Sequence, residues 1–269
     1  MTPLAITGGR IVDPVAGTLR EGGVLVRDRR IAAVGTIQVP DDATVIDAKG
    51  ALIAPGIVDL GSFAIDLPAF TAGGITRAAL MPDQSPPLDE AALVQRAAAA
   101  GKPDVWIHPI AAATRGLAGT DMAEMAICAS AGAKAVGTGR GWIADTGVMH
   151  RVLAYAKDLD LAVISHAEDG GLAAGAVATE GETATRLGLP AAPAIAEALA
   201  IARDLMLAEE TGARLHIRQV TTAAGFDLVR AAKRRGVRVT CGIGPAHLHL
   251  SDIATTDFRT FARLSPPLR

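Results

Sequence analysis

The chain has 269 residues, of which half are apolar and 20% charged, with a formal net charge of −2, so it is neither a disordered chain nor a basic nucleic-acid binder. Aromatic residues make up only 3% while alanine and glycine abound, which suits helices packed closely on a parallel sheet and leaves no stacking surface for bases. "MTPLAITGG" has no basic, then apolar, leader and no apolar run reaches about 18 residues, so neither a signal peptide nor a membrane helix is read and a cytoplasmic protein is expected.

Residues 1–54 carry short β-runs, "LAITGGRIVDP", "GGVLVRDRRIAAVG" and "ATVIDAKGALIAP", broken by Gly, Pro and Asp. Val24–Val26 and Ile31–Val34 flank Arg27–Arg30 as a hairpin. This is a small β-module, too thin to bury a core alone. From Pro55 the pattern becomes strand, then helix, repeatedly. Apolar strand runs fall at Ile57–Leu60, Arg77–Met81, Val105–Ile110, Ala133–Gly137, Ala162–His166, Arg214–Val220 and Val237–Cys241. Alanine-rich helical patterns lie between them, with Asp89, Asp121 and Thr222 as candidate caps. In "AIAEALAIARDLMLAEE" the apolar spacing predicts a packed face of Ile195, Leu199, Leu205 and Leu207, with Glu197, Arg203 and Glu209 outside.

Strands alternating with helices imply a parallel sheet with right-handed crossovers. Seven of them predict an α/β fold of the (β/α)₈ TIM-barrel type over residues 55–269, with functional groups at the C-terminal strand ends. A doubly wound open sheet is the alternative, but no G-x-G-x-x-G follows the first strand. Only Gly61–Ala72 separate the first strand from "GGIT", and no eighth strand precedes Arg269, so the barrel is expected to be truncated before that strand.

Several residues are candidates for chemistry. His166, in "VISHAED", ends the fifth strand and is followed by Glu168 and Asp169. It reads as a ligand or acid–base group, or as a hydrogen-bonded structural histidine. His216 in "RLHIRQV" reads as a packing residue. His247 and His249 form an H-x-H pair in a loop after "GIGP", without Cys, Asp or Glu beside them. Arg140 in "TGRGWI" is a weak anion signal, and Cys128 and Cys241 read as buried, reduced thiols. No G-x-S-x-G elbow, Walker loop or C-x-x-C occurs.

"GGRIVDP", "APGIVDL", "GGITRAALMPDQSP", "VISHAED", "EGETATRLGLP", "LHIRQVTTAAG", "GIGPAHLHLSD" and "RLSPPLR" follow one another in that order. Together they resemble the dihydroorotases of the amidohydrolase superfamily, over nearly the whole chain. The resemblance implies a metal-bearing barrel fed by a composite β-module, and a zinc-activated water that opens and closes the ring of dihydroorotate in pyrimidine biosynthesis. Residue by residue it places the first-strand H-x-H on Gly61 and Phe63, and the acidic bridging position on Thr138. Its fifth-strand histidine falls on His166 and its sixth-strand histidine on Gln219. The substrate-binding asparagines fall on Asp83 and Ser265.

One retained ligand cannot hold zinc, which takes three protein ligands even in an open catalytic site. No cofactor is therefore expected. The resemblance then implies a non-catalytic dihydroorotase-like protein, oligomeric and serving aspartate carbamoyltransferase as a structural subunit. Two alternatives stand beside it. One is an active cyclic amidohydrolase rebuilt around His166, Glu168 and Asp169. The other is a small-molecule binding module with Arg140 or Arg218 near its mouth.

Overall fold

The computed structural model describes residues 2–269, and the chain divides into a unit ending at Ile57 and a unit from Val58 to Arg269. In the first unit, β1 (Leu4–Asp13), β2 (Thr18–Arg27), β3 (Arg30–Gly35), β4 (Thr44–Asp47) and β5 (Leu52–Ile53) form one sheet in the order β3-β2-β1-β4, with β5 also on β1. The expected hairpin is present, with Arg27 opposite Arg30. Its two-residue loop, Asp28 and Arg29, has φ of 49° and 61°, the positive values that match the twist of paired strands. The buried apolar side chains of this unit, among the described residues, are Ala5, Ile11, Val24 and Leu25. That is a thin core, as its composition implies.

The second unit runs β6 (Ile57–Ser62), α1 (Leu67–Ala72), β7 (Ile75–Leu80), α2 (Ala91–Ala99), β8 (Trp106–Ala112), α3 (Met125–Ser130), β9 (Ala135–Gly137), α4 (Thr146–Asp158) and β10 (Ala162–Ser165). A small pair, β11 (Ala178–Thr179) and β12 (Ala191–Ala192), brackets α5 (Glu182–Leu187). Then follow α6 (Ile195–Thr211), β13 (Arg214–Ile217), α7 (Ala223–Arg234), β14 (Val239–Cys241) and α8 (Pro245–His249). Seven strands join in the order β14-β13-β10-β9-β8-β7-β6, and the pairs from β7 to β14 are parallel. All seven expected strands are there, in a curled part-barrel sheet that ends at β6 on one side and β14 on the other.

Strand side chains alternate between faces, and the core divides accordingly. Ala78, Leu80, Val136, Val163, Leu215 and Ile217 pack against the helices with Val94, Met149, Val152 and Ile201. Ala79, Met81, Ile110, Ala135 and Ile164 form a separate cluster on the other face, with Phe63 against it.

The structure corrects several local expectations. Thr222 caps α7 by accepting from the Gly225 N–H, but α2 and α3 start after Glu90 and Glu124 without a side-chain cap. Asp89 instead accepts from the Gly116 N–H at 2.8 Å, and Asp121 lies in the loop before α3. "FAIDLPAF" leads into α1, so the short stretch between β6 and β7 does hold a helix, which buries Phe70, with Phe63, Ile65 and Leu67 half-buried. His247 and His249 lie on α8 and not in a loop.

The face of α6 is also rotated from the expected one. Leu205 is buried, Leu207 packs half-buried on the core and Glu209 is exposed as expected, whereas Ile195 and Leu199 are exposed, Glu197 is buried with Ile201, Asp204 and Ala208, and Arg203 is largely covered. Polar partners decide this. Glu197 accepts from the backbone N–H groups and hydroxyls of Thr221 and Thr222. Asp204 accepts from Arg203 and from the Ser165 hydroxyl. A satisfied carboxylate can enter a core, and small alanines let it approach.

Candidate functional site

The chain after β10 continues directly into His166, which is 4% exposed. Its backbone N–H donates to Thr138 Oγ1 at 3.0 Å, tying the ends of β10 and β9 together. The imidazole Nδ1 lies 2.9 Å from Arg218 Nη2, while Nε2 is 3.5 Å from Ser265 Oγ and 3.7 Å from Glu168 Oε2. A guanidinium only donates, so Nδ1 is the acceptor and Nε2 carries the proton that faces Ser265 and Glu168. Neither ring nitrogen then offers a lone pair to a metal.

Period two from His216 puts Arg218 on the same face of the chain leaving β13. Its guanidinium carbon is 5.2 Å from the centre of the Phe63 ring, and that of Arg140 is 4.0 Å from it. Both distances suit cation–π contact. Asp83 accepts from the Arg140 backbone N–H at 2.8 Å. Gly139 permits this turn, with φ of +74° and room for no Cβ, since one would stand 2.7 Å from Asp83 Oδ1. Burial pulls the Arg218 guanidinium below its ordinary pKa, with the Asp83 charge opposing and Arg140 adding to the effect.

β6 and the region after β13 face one another across a cavity of about 400 Å³, lined by Asp59, Leu60 and Gly61 on one side and Arg218, Gln219 and Gly244 on the other. Half-buried His216 also lines it, with Nδ1 2.8 Å from Thr240 Oγ1, and so does Cys241. Buried polar atoms gather around this region without a hydrogen bond: Asp83 Oδ2, Glu168 Oε1, Arg218 Nε, Gln219 Oε1 and His247 Nδ1. A larger concavity of about 610 Å³ lies on the β-module and is largely glycine-walled, with Arg10 and Glu21 as its charged residues. The chemistry is at the strand ends.

The structure thus brings Phe63, Asp83, Thr138, His166 and Ser265 together through the contacts above, with Gly61 and Gln219 on the cavity wall. Asp169 stands apart, because its carboxylate accepts from the Gly171 and Leu172 N–H groups in its own turn. His247 donates through Nε2 to the Pro266 carbonyl, and His249 is exposed, so the two do not converge. Cys128 is buried and Cys241 half-buried, and both are free thiols. Arg269 closes the "RLSPPLR" stretch, which by itself assigned it no role. It donates to the Thr221 and Thr179 hydroxyls and lies 3.9 Å from Glu168.

Zinc does not fit these residues. Gly61 and Phe63 carry no donor, the His166 nitrogens are engaged, and a guanidinium stands beside the imidazole. Among the described residues no group of three His, Cys, Asp or Glu side chains is placed to share a metal ion.

A curled parallel sheet with polar groups at its strand ends places the chain among α/β barrels of the (β/α)₈ type. The structure of the L-hydantoinase (dihydropyrimidinase) from Arthrobacter aurescens matches all of this chain and 64% of its own, with a TM-score of 0.84 at 22% identity. The dihydropyrimidinase from Brevibacillus agri NCHU1002 gives a TM-score of 0.79 at 22% identity, over 100% of this chain and 63% of that one. These likenesses establish the fold. The family model described as dihydro-orotase-like matches residues 50–224, and the chain belongs to that family. It is 42% identical to a dihydroorotase of Pelotomaculum thermopropionicum and 40% identical to one of Syntrophotalea carbinolica, each over 99% of this chain. It spans 65% and 66% of the length of those two relatives.

Proposed function

We propose that the chain is a dihydroorotase-like protein of pyrimidine biosynthesis that has given up zinc catalysis and serves as a structural subunit of aspartate carbamoyltransferase. The observation that carries this reading is the contact of Arg218 with His166 Nδ1, at 2.9 Å. It puts a fixed positive charge against the one histidine that the family pattern retains. Phe63 and Gly61 hold the positions of the first-strand histidines, and Gln219 that of the sixth-strand one. Asp83 adds a negative charge where the family binds a carboxylate.

The rebuilt amidohydrolase reading needs His166, Glu168 and Asp169 to converge, and Asp169 is engaged in its own turn. Elemental analysis of the protein, purified without added metal, tests the proposal. Much less than one zinc per chain is expected. Stoichiometric, tightly held zinc would overturn it. The triple change Gly61→His, Phe63→His and Gln219→His should raise zinc affinity without restoring turnover, because Asp83 and Ser265 remain.

A further inference from the structure

The N-terminal ends of β13 and β14, away from the site described above, carry a second group of charges. Leu215 pairs with Val239 and His216 with Thr240. Two residues before that second pair, Arg214 and Arg238 stand side by side on the face that carries His216 and Thr240. Like charges placed opposite one another on neighbouring strands repel unless something lies between them. Ala162 of β10 flanks Arg214 on its other side and takes up little space. With Lys233, from the last turn of α7, these side chains line a cavity of about 460 Å³.

Charge decides what suits it. None of the described residues that line the cavity is acidic. Arg214 has a counter-charge outside it, since its Nη2 donates to the Asp160 carbonyl and lies 3.1 Å from the Asp160 carboxylate. Arg238 and Lys233 are exposed, and their side chains make no hydrogen bond or ion pair among the described residues. Three cations thus share one carboxylate, which leaves two positive charges without a counter-charge. His216, with its Nδ1 2.8 Å from Thr240 Oγ1, adds a polar wall. A phosphoryl dianion matches two uncompensated charges, and its oxygens can accept from a guanidinium and an ammonium at once. A carboxylate carries one charge too few.

We propose that Arg214, Lys233 and Arg238 form a binding site for a phosphoryl group at the N-terminal ends of β13 and β14. None of the positions at which the family pattern puts a metal ligand or a substrate contact lines this cavity. The site is therefore independent of the strand-end centre and of whether that centre holds a metal. Binding there makes and breaks no covalent bond.

The test is calorimetric titration with inorganic phosphate and, separately, with glycerol 3-phosphate, at about pH 8, where the phosphoryl group is a dianion. Ionic strength is held constant with chloride as the balancing anion. Saturable binding of one anion per chain is expected. Tighter binding of inorganic phosphate makes the ligand the free anion, and equal or tighter binding of the ester makes it a phosphate ester. Arg238→Gln should weaken binding about tenfold and Lys233→Gln about threefold. Both side chains are exposed, so neither change disturbs the core. Arg140→Gln, exposed at the opposite strand ends, should leave the affinity unchanged. Thermal unfolding gives a second readout, because phosphate should raise the melting temperature of the wild type and not that of Arg238→Gln. No saturation by either probe, or wild-type affinity in Arg238→Gln or Lys233→Gln, overturns the inference. So does an equal loss in Arg140→Gln, which would move the anion to the other strand ends.

Discussion

His216 reports the electrostatics of the cavity more directly than any other single side chain. Burial, and then the Arg218 charge, hold its imidazole below the ordinary histidine pKa. In an unfolded chain the same group titrates near about 6.5. Between the folded and unfolded values the unfolded chain binds more protons, so stability falls as pH drops through about 6.5, and the loss is complete below the folded value. His216→Gln keeps a partner for Thr240 and removes this titration. Urea unfolding from pH 8 down to pH 5 should show the wild type losing ground to the variant on acidification. A difference that does not change with pH would mean that His216 is not held neutral by its surroundings. Phe63 does two things at once. One ring both packs on Met81 and its neighbours and carries two guanidinium contacts, and it stands where the family resemblance places a histidine.

At the scale of elements, α6 and the turn between β13 and α7 are joined through Glu197. Its carboxylate accepts from both backbone N–H groups of Thr221 and Thr222, and the Thr222 hydroxyl goes on to cap α7. That turn follows directly on Arg218 and Gln219, so Glu197 helps to place the cavity wall from the far side of the sheet. Glu197→Ala leaves two N–H groups unpaired in the core and should cost about 2–4 kcal/mol of stability. Glu209→Ala, on the exposed side of the same helix, should leave the unfolding midpoint close to wild type. Comparing the two by chemical denaturation decides the matter. Equal effects would mean that the Glu197 network contributes nothing beyond a surface pair. The apolar spacing of "AIAEALAIARDLMLAEE" made α6 legible but misplaced part of its face, because beside Ile201 and Leu205 the buried side takes in alanines and two acids, Glu197 and Asp204, that bond to Thr221, Thr222 and Ser165 far away in sequence. Periodicity of hydrophobic residues carries no record of those partners.

At the scale of the whole molecule, the sheet ends at β6 and β14, and Ile57, Val58 and Leu60 of β6 are each more than half exposed. If the chain supports aspartate carbamoyltransferase, the two should elute together from a sizing column at micromolar concentration. The carbamoyltransferase should also raise the melting temperature of this chain, because a partner that binds only the folded form stabilises it by mass action. Separate elution, with neither peak displaced, would remove the subunit reading and favour the binding module.

The strand–helix alternation, the seven strands, the hairpin and the β-module could all be read in the chain alone. Each depends on local periodicity and turn chemistry, which neighbours in sequence supply. The place of His166 at the end of its strand was legible for a related reason, since the apolar run of "VISHAED" marks where that strand stops. The burial of Glu197, Asp204 and Arg203, the turning away of Asp169, and the arrival of Arg218 at His166 Nδ1 were not legible. Those depend on side chains from separate strands and helices meeting in space, where hydrogen bonding and desolvation decide which charge is admitted. Only the folded chain brings them within 3 Å of one another.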